Sequence, residues 1–145
     1  MQAEFVIELQ TDPTSSDMAV IVAGLTDYNA SQADGEVPEY LILVVRDADL
    51  NVVGGLVGST YLGWLQIHVV WMLDALRKCG YGTALMRRAE HEALLRGCAR
   101  AFLETFSFQA LPFYEKLGYQ VVSRIADFPP GGARYALTRA LDNQA

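Results

Sequence analysis

Apolar residues recur at changing intervals along the chain, and these intervals predict its helices and strands. Residues 4–9 form a largely apolar run that predicts a first strand. Residues 14–17 follow Pro13 and offer hydroxyl and carboxylate side chains typical of a helix N-cap. Polar residues predict a loop over 29–36. The helix predicted between cap and loop carries one apolar stripe, made of Met18, Ile21, Val22, Leu25 and Tyr28.

The next part of the chain has the composition of three strands. Residues 40–46 and 52–61 flank a turn at 47–49 and predict a hairpin. Three glycines in its second strand predict a bulge or a close approach of two backbones. Gly63 marks another turn, and residues 65–72 are apolar at nearly every position. Such a run is typical of a central strand that is buried on both faces.

Two further helices alternate with strands in the C-terminal half. Residues 82–96 predict a helix ending at Gly97, and residues 110–116 predict a short one ending at Gly118. The core stripe of the longer helix consists of Leu85, Met86, Ala89, Ala93 and Leu94. Strands are predicted over residues 101–106, 119–125 and 134–138. The element order predicts an α/β (α+β mixed) protein whose helices pack on the faces of a mixed sheet.

Length and composition narrow the possible functions. The chain has 145 residues without a repeat or a linker, which predicts one domain over residues 1–145. No apolar run reaches the ~18 residues of a membrane span, and no signal-peptide core is present, so we expect no membrane partner. Two cysteines do not make a disulfide framework, which favours a cytoplasmic location. A net charge of −6 argues against a nucleic-acid partner.

The charge is distributed unevenly between the two parts of the chain. Residues 1–50 contain ten acidic residues and one arginine, for a net charge of −9. Residues 51–145 contain seven acidic and ten basic residues, for a net charge of +3. This asymmetry fits an anionic ligand held by the second part and a cationic one attracted by the first. A solvated acidic surface explains the same numbers without any ligand.

A glycine-containing loop lies between the run 65–72 and the helix predicted over 82–96. Gly80 and Gly82 allow a tight turn and a close approach to a ligand. The free N–H groups and the dipole of the following helix attract phosphate, and Arg77 and Lys78 add positive charge. A simple helix-entry turn is the alternative. The dinucleotide fingerprint and the P-loop do not match, because the former needs a glycine at Leu85 and the latter a Gly-Lys-Ser/Thr triplet.

Two motifs at matching separation resemble the GNAT N-acetyltransferase superfamily. The first is Arg77-x-x-Gly80-x-Gly82 after an apolar strand, which is similar to the acetyl-CoA signature of that family. The second is Ala110 followed by Phe113-Tyr114-Glu115-Lys116-x-Gly118-Tyr119. The resemblance runs from about residue 40 to residue 141. It implies a GNAT-type fold with a mostly antiparallel sheet of six to seven strands, flanked by three to four helices.

The resemblance also implies acetyl-CoA as cosubstrate and a set of residues that bind it. The implied cofactor-binding residues are Val70, Trp71, Met72, Arg77, Lys78, Cys79, Gly80, Tyr81, Gly82, Thr83, Ser107 and Tyr114. Two of them depart from the usual family pattern. Ser107 stands where the family commonly has an asparagine, so a direct contact with the cofactor is in doubt. Lys78 stands where glycine is more frequent, and a lysine restricts the backbone there.

Acetyl transfer to an amine needs a neutral amine, a donor for the oxyanion and a proton for the departing thiolate. The resemblance favours Tyr114 as the general acid, although a packed aromatic is the alternative. Some relatives use a glutamate as the base at the position of Gln66, which accepts no proton usefully. His68 is two residues on, hence on the same face of the strand, and titrates near neutrality. A hydrogen-bonded core histidine, Glu104 as the base, or deprotonation by solvent remain alternatives.

The leading interpretation is an acetyl-CoA-dependent N-acetyltransferase acting on a primary amine of a small molecule or protein. A noncatalytic acyl-CoA-binding module and a nucleotide-binding regulatory domain are the alternatives. We expect a cationic acceptor, and a homodimer is compatible with the sequence. No metal is expected, because neither Cys98 nor the histidines show metal-ligand spacing. Cys79 lies in the predicted phosphate loop and is interpreted as structural rather than nucleophilic.

If the acidic N-terminal part attracts a cationic acceptor, kcat/KM for that acceptor falls with rising salt, through KM rather than kcat. Exposed charges are screened beyond roughly 8 Å at physiological ionic strength. The measurement is a salt series on the parent and on the double variant Asp34→Asn, Glu36→Gln. An unchanged salt response excludes these two carboxylates, and a neutral or anionic best acceptor excludes the idea altogether.

Overall fold

The structure is a computed structural model that describes residues 4–142. These residues fall into two compact units, 4–37 and 38–142. The first unit contains α1 (Ser16–Gln32), and the N–H of Asp17 donates to Oγ of its N-cap residue Ser15 at 3.0 Å. The predicted cap is therefore confirmed, and within this unit no side chain of α1 is buried.

Two predictions for the first unit are wrong. Residues 4–9 form no strand, because a strand needs a hydrogen-bonded neighbour and no strand in the described part of the chain pairs with them. The loop predicted to begin at Asn29 begins later, because α1 continues to Gln32. The helix ends where Asp34 and Gly35 adopt left-handed backbone angles, with φ of 53° and 82°. The N–H of Gly35 donates back to the carbonyl of Ala30 at 2.8 Å, which satisfies one terminal acceptor.

The second unit is an α/β structure built on one mixed sheet. Its elements are β1 (Glu39–Arg46), β2 (Val52–Tyr61), β3 (Trp64–Met72), a 3-10 turn (Asp74–Leu76), α2 (Tyr81–Leu95), β4 (Arg100–Phe106), α3 (Leu111–Lys116), β5 (Gln120–Ala126) and β6 (Ala133–Ala140). The strands lie in the order β1-β2-β3-β4-β6-β5. Every neighbouring pair is antiparallel except β3 and β4, which are parallel. The predicted fold class is thus confirmed, with six strands and three α-helices in the described residues.

The glycines of β2 allow neighbouring strands to approach closely, as predicted. A Cβ built on Gly55 collides with the carbonyl oxygen of Leu43 on β1. A Cβ on Gly58 would lie 2.7 Å from the carbonyl oxygen of Gln66 on β3. Glycine is therefore required at both positions for the ladder to keep its spacing.

The core lies between the sheet and α2, which contacts β1, β2 and β3. Of its predicted stripe, Leu94 is only partly buried. The prediction that the run 65–72 is buried on both faces is wrong, since Val69 is 53% and Trp71 is 46% exposed. The largest fully buried side chains are Leu41, Leu56, Leu65, Met86, Leu103, Tyr119 and Leu137.

A buried carboxylate on α2 joins three elements and was not foreseen from the sequence. Glu90 is 4% exposed and accepts hydrogen bonds from Arg87, from Arg139 on β6 and from the hydroxyl of Tyr119, at 2.8, 2.8 and 2.7 Å. Arg87 also donates to the carbonyl of Leu117, just after α3, at 3.1 Å. A buried charge is tolerated only when it is paired and hydrogen-bonded, and Glu90 meets both conditions. The network therefore fixes α3 against α2 and β6.

We expect Tyr119→Phe to lower the free energy of unfolding by about 2 kcal/mol at pH 8, because it removes a buried hydrogen bond to a charged group. The pKa of Tyr119 is raised above its usual value of 10 by burial and by Glu90. The unfolded chain thus releases this proton first, and stability is lost as the pH rises above 10. The variant lacks this group, so its stability should fall less steeply, by up to about 1.4 kcal/mol per pH unit. Urea unfolding at pH 8 to 11 measures both effects. If the free energy of unfolding falls equally steeply with pH in the parent and in the variant, the link between Tyr119 and alkaline stability is wrong.

Candidate active site

β3 and β4 pair over only part of their length. The parallel register joins Trp64–Ile67 to Arg100–Leu103, and no pairing between the two strands follows. Residues 68–72 of β3 remain paired with β2 on their other side. The backbone groups of 68–72 that face away from β2 thus border a gap between two diverging strands. Val70, Trp71 and Met72, which the resemblance assigns to cofactor binding, lie along this gap.

The loop after β3 has the tight geometry that its glycines predict. Lys78 and Gly80 both adopt left-handed angles, with φ of 63° and 87°. Gly80 is the N-cap of α2, and its carbonyl accepts the N–H of Ala84 at 3.0 Å. The N–H groups of Tyr81, Gly82 and Thr83 precede this first helical bond and point out of the helix start. A helix of 15 residues adds the positive end of its dipole to these donors.

The positive charges predicted for this loop differ in their surroundings. Arg77 forms an ion pair with Asp74 at 3.0 Å and donates to the carbonyl of Met72 at 3.4 Å, so it braces the turn. Lys78 is exposed at the head of the loop. The thiol of Cys79 donates to the carbonyl of Arg77 at 3.6 Å. The loop is therefore held by its own contacts, while Lys78 faces solvent.

α3 packs against the first turn of α2 through an aromatic side chain. A Cβ on Gly82 would lie 3.2 Å from Cζ of Phe113, so the small size of Gly82 makes room for this ring. The next residue, Tyr114, is buried and packs edge-on against Phe113 and Tyr119, with ring centroids 5.1 and 6.3 Å apart. Burial raises the pKa of Tyr114, so its hydroxyl keeps its proton at neutral pH.

Ser107 is engaged with β6. Its Oγ accepts the N–H of Ala133 at 3.0 Å, and its own N–H donates to the carbonyl of Ala133 at 2.8 Å. The side chain of Gln109 accepts the N–H of Phe106 at 2.8 Å and closes the turn between β4 and α3. The serine that replaces the usual asparagine thus serves to join this turn to β6.

His68 is the extra residue of a β-bulge. The register between β2 and β3 pairs Val57 with Val69 and Gly58 with Ile67, which leaves His68 without a direct partner on β2. Its Nε2 lies 2.9 Å from Oγ of Ser59. Ser59 also pairs with Gln66, so Gln66 and His68 lie on one face of β3, as predicted.

Glu104, the weaker candidate for a base, is neutralised by a neighbour. Arg134 forms an ion pair with it at 2.8 Å, and the guanidinium carbon lies 5.1 Å from the ring centroids of Phe106 and Phe128. The carboxylate of Glu104 is thus engaged in an ion pair, whereas the short contact of His68 is with an uncharged hydroxyl.

The second histidine and the cysteines add no further catalytic arrangement. His91 is exposed on α2, and neither Cys79 nor Cys98 forms a disulfide bond. Within residues 4–142, no cluster of three or more His, Cys, Asp or Glu side chains is placed to hold a metal ion. No α-helix in the same residues is both long enough and apolar enough to span a membrane.

Comparison with known proteins agrees with this geometry. The model of the Acetyltransferase (GNAT) family matches residues 6–119. Blasticidin-S acetyltransferase of Streptomyces morookaense is 37% identical over 92 residues, which cover 63% of this chain and 68% of that protein. Acetyltransferase Atu2258 of Agrobacterium fabrum is 33% identical over 107 residues, or 74% of this chain and 78% of that protein.

The same likeness holds in three dimensions. The crystal structure of an acetyltransferase from Bacillus cereus superimposes with a TM-score of 0.77 at 31% identity and covers 92% of this chain and 98% of that one. The chain therefore belongs to the GNAT family of acetyltransferases. It is an N-acetyltransferase enzyme.

The left-handed backbone of Lys78 predicts an unusual order of stabilities. Lys78→Gly and Lys78→Ala remove the same charge, but only glycine adopts this conformation without strain. We expect the glycine variant to be more stable by about 1 kcal/mol in urea unfolding. The same two substitutions at Arg88, in the middle of α2, should give the reverse order by a similar amount. If Lys78→Ala is at least as stable as Lys78→Gly, the left-handed conformation of Lys78 is wrong.

Proposed function

We propose that the protein transfers an acetyl group from acetyl-CoA directly to a primary amine of a small molecule or protein. The observation that carries this proposal is the gap between β3 and β4, which opens at the strand end leading into the N-terminus of α2. One end of the gap offers backbone groups, and the other offers N–H donors for an anion. A long ligand with an anionic part fits such a site.

The first turn of α2 suits the pyrophosphate of acetyl-CoA. Three N–H groups, the helix dipole and the exposed ammonium of Lys78 all favour negative charge there. The backbone of Val70, Trp71 and Met72 suits the pantetheine arm and the acetyl group. Acetyl-CoA supplies the activated acyl group as a thioester, while the residues of the chain hold it and move the protons.

Two side chains are proposed for the two proton transfers. The hydroxyl of Tyr114 gives a proton to the departing sulfur, which is consistent with a pKa raised by burial. His68 takes a proton from the acceptor amine on the face of β3 that it shares with Gln66. A cationic acceptor loses two protons on its way to the amide. One replaces the proton given to the sulfur and the other leaves to solvent, so the enzyme returns to its starting state.

A cationic amine is the proposed acceptor class. Residues 1–50 carry a net charge of −9, which favours a cation by attraction. Blasticidin-S acetyltransferase, one of the similar proteins, is named for the substrate blasticidin S. The decisive experiment is a panel of amines that includes blasticidin S, polyamines and peptides, with release of free CoA as the readout. No CoA release with any amine would contradict the proposal.

Tyr114→Phe should lower kcat about 10²-fold and leave the Kd for acetyl-CoA within about threefold, because the proton is needed only as the sulfur leaves. Tyr119→Phe is the matched control, since it removes a hydroxyl that is committed to Glu90. The control should lose stability but keep its kcat at a temperature where it is folded. A loss of kcat below about threefold in Tyr114→Phe would make this tyrosine a packing residue.

A further inference from the structure

The β-bulge at His68 places the imidazole ring against the side chain of Ser59, to which no role has been assigned above. Ser59 lies on β2, is 9% exposed, and is paired with Tyr40 on β1 and Gln66 on β3. Because β2 is hydrogen-bonded on both sides at this point, the Cα of Ser59 is held by two ladders. The 2.9 Å contact between its Oγ and Nε2 of His68 therefore ties His68, which has no direct partner on β2, to a strand that is paired on both sides.

We propose that Ser59 is a positioning residue that holds His68 in the tautomer able to act as a base. This inference rests on the proposed function, in which His68 takes the proton of the acceptor. In the arrangement we propose, Nε2–H donates to Oγ of Ser59, and Nδ1 carries the lone pair that receives the proton.

The assignment of His68 as a base requires this direction of the hydrogen bond, since a serine hydroxyl by itself can either donate or accept. A protonated imidazole has two N–H groups, so its Nε2 must donate. If Ser59 already accepts from Nε2 in the neutral state, proton uptake at Nδ1 requires no rotation of the serine hydroxyl. In the opposite arrangement Nδ1 carries the hydrogen and has no lone pair to offer. Only the first arrangement serves both protonation states.

Charged and titratable side chains also lie on the sheet face that carries His68, but the hydrogen bond of its ring is with Ser59. By register, these neighbours are Tyr40 and Tyr61 beside Ser59, Arg100 opposite Trp64, and Glu104 and Arg134 across the gap. Glu104 and Arg134 form an ion pair with each other at 2.8 Å. The short contact of His68 is therefore with an uncharged hydroxyl, which in the proposed arrangement accepts from Nε2–H without adding a charge.

The chain offers a direct spectroscopic test, because it contains only two histidines, His68 and His91. In a His91→Gln background, nitrogen-15 spectra of labelled histidine report the tautomer of His68 alone. We expect the Nε2–H form in the parent and in Ser59→Thr, which keeps the hydroxyl. In Ser59→Ala we expect a mixture of tautomers. Spectra that are unchanged in Ser59→Ala would overturn the proposal.

Kinetics separate this inference from the proposed function. Ser59→Ala should lower kcat on the order of tenfold at unchanged KM for acetyl-CoA, with rescue by Ser59→Thr. His68→Ala should lower kcat about 10²-fold. If His68→Ala is impaired and Ser59→Ala is not, the positioning role is wrong and the proposed function stands. If His68→Ala is unimpaired, both the base and its positioning residue are wrong, while acetyl transfer itself stands.

A parent enzyme that releases no CoA with any amine would contradict the proposed function instead. The labelled histidine then decides on its own whether Ser59 sets the tautomer. Circular dichroism of each variant at the assay temperature serves as the control for folding. A Ser59→Ala variant with a native spectrum, a single unchanged tautomer and full kcat would reject the inference completely.

Discussion

The early end of pairing between β3 and β4 is the constraint on which the site depends. Their last parallel pair is Ile67 and Leu103, and the very next residue of β3 is the bulged His68. A bulge bends its strand and increases the local twist, so it turns β3 away from the direction that pairing with β4 requires. One extra residue thus coincides with the opening of the gap and the placement of a titratable side chain at its edge.

The elements around the gap are held by contacts of different kinds. The loop before α2 depends on backbone conformation, with left-handed angles at Lys78 and Gly80. α3 depends on packing at Gly82 and on the buried ion network of Glu90. Polar groups that are buried and fully partnered give a unique arrangement, and the cost of leaving any one unpaired is high. The position of Tyr114 on α3 therefore depends on contacts within the protein, at Gly82 and around Glu90.

The sequence was sufficient where a local rule determined the structure. Gly80 was predicted to allow a tight turn because glycine accepts positive φ, and a shared face for His68 and Gln66 followed from strand periodicity.

Local rules failed where partners are distant along the chain. The run 4–9 has the composition of a strand but has no neighbour to pair with among the described residues. Glu90 was missed because one of its partners, Arg139, is 49 residues away. The proximity of Ser59 to this face of β3 could have been predicted, since a hairpin turn at Gly63 places residue 59 opposite residue 66.

The arginines around Glu90 also limit how this protein can diverge. Arg87 uses two nitrogens for two different acceptors, the carboxylate of Glu90 and the carbonyl of Leu117. Lysine carries its charge at one point and does not reproduce such a fork. Drift at position 87, 90 or 139 is therefore tolerated only when the other positions change in step. We therefore expect substitutions at these three positions to be correlated among related proteins, while exposed positions of the same helix change independently.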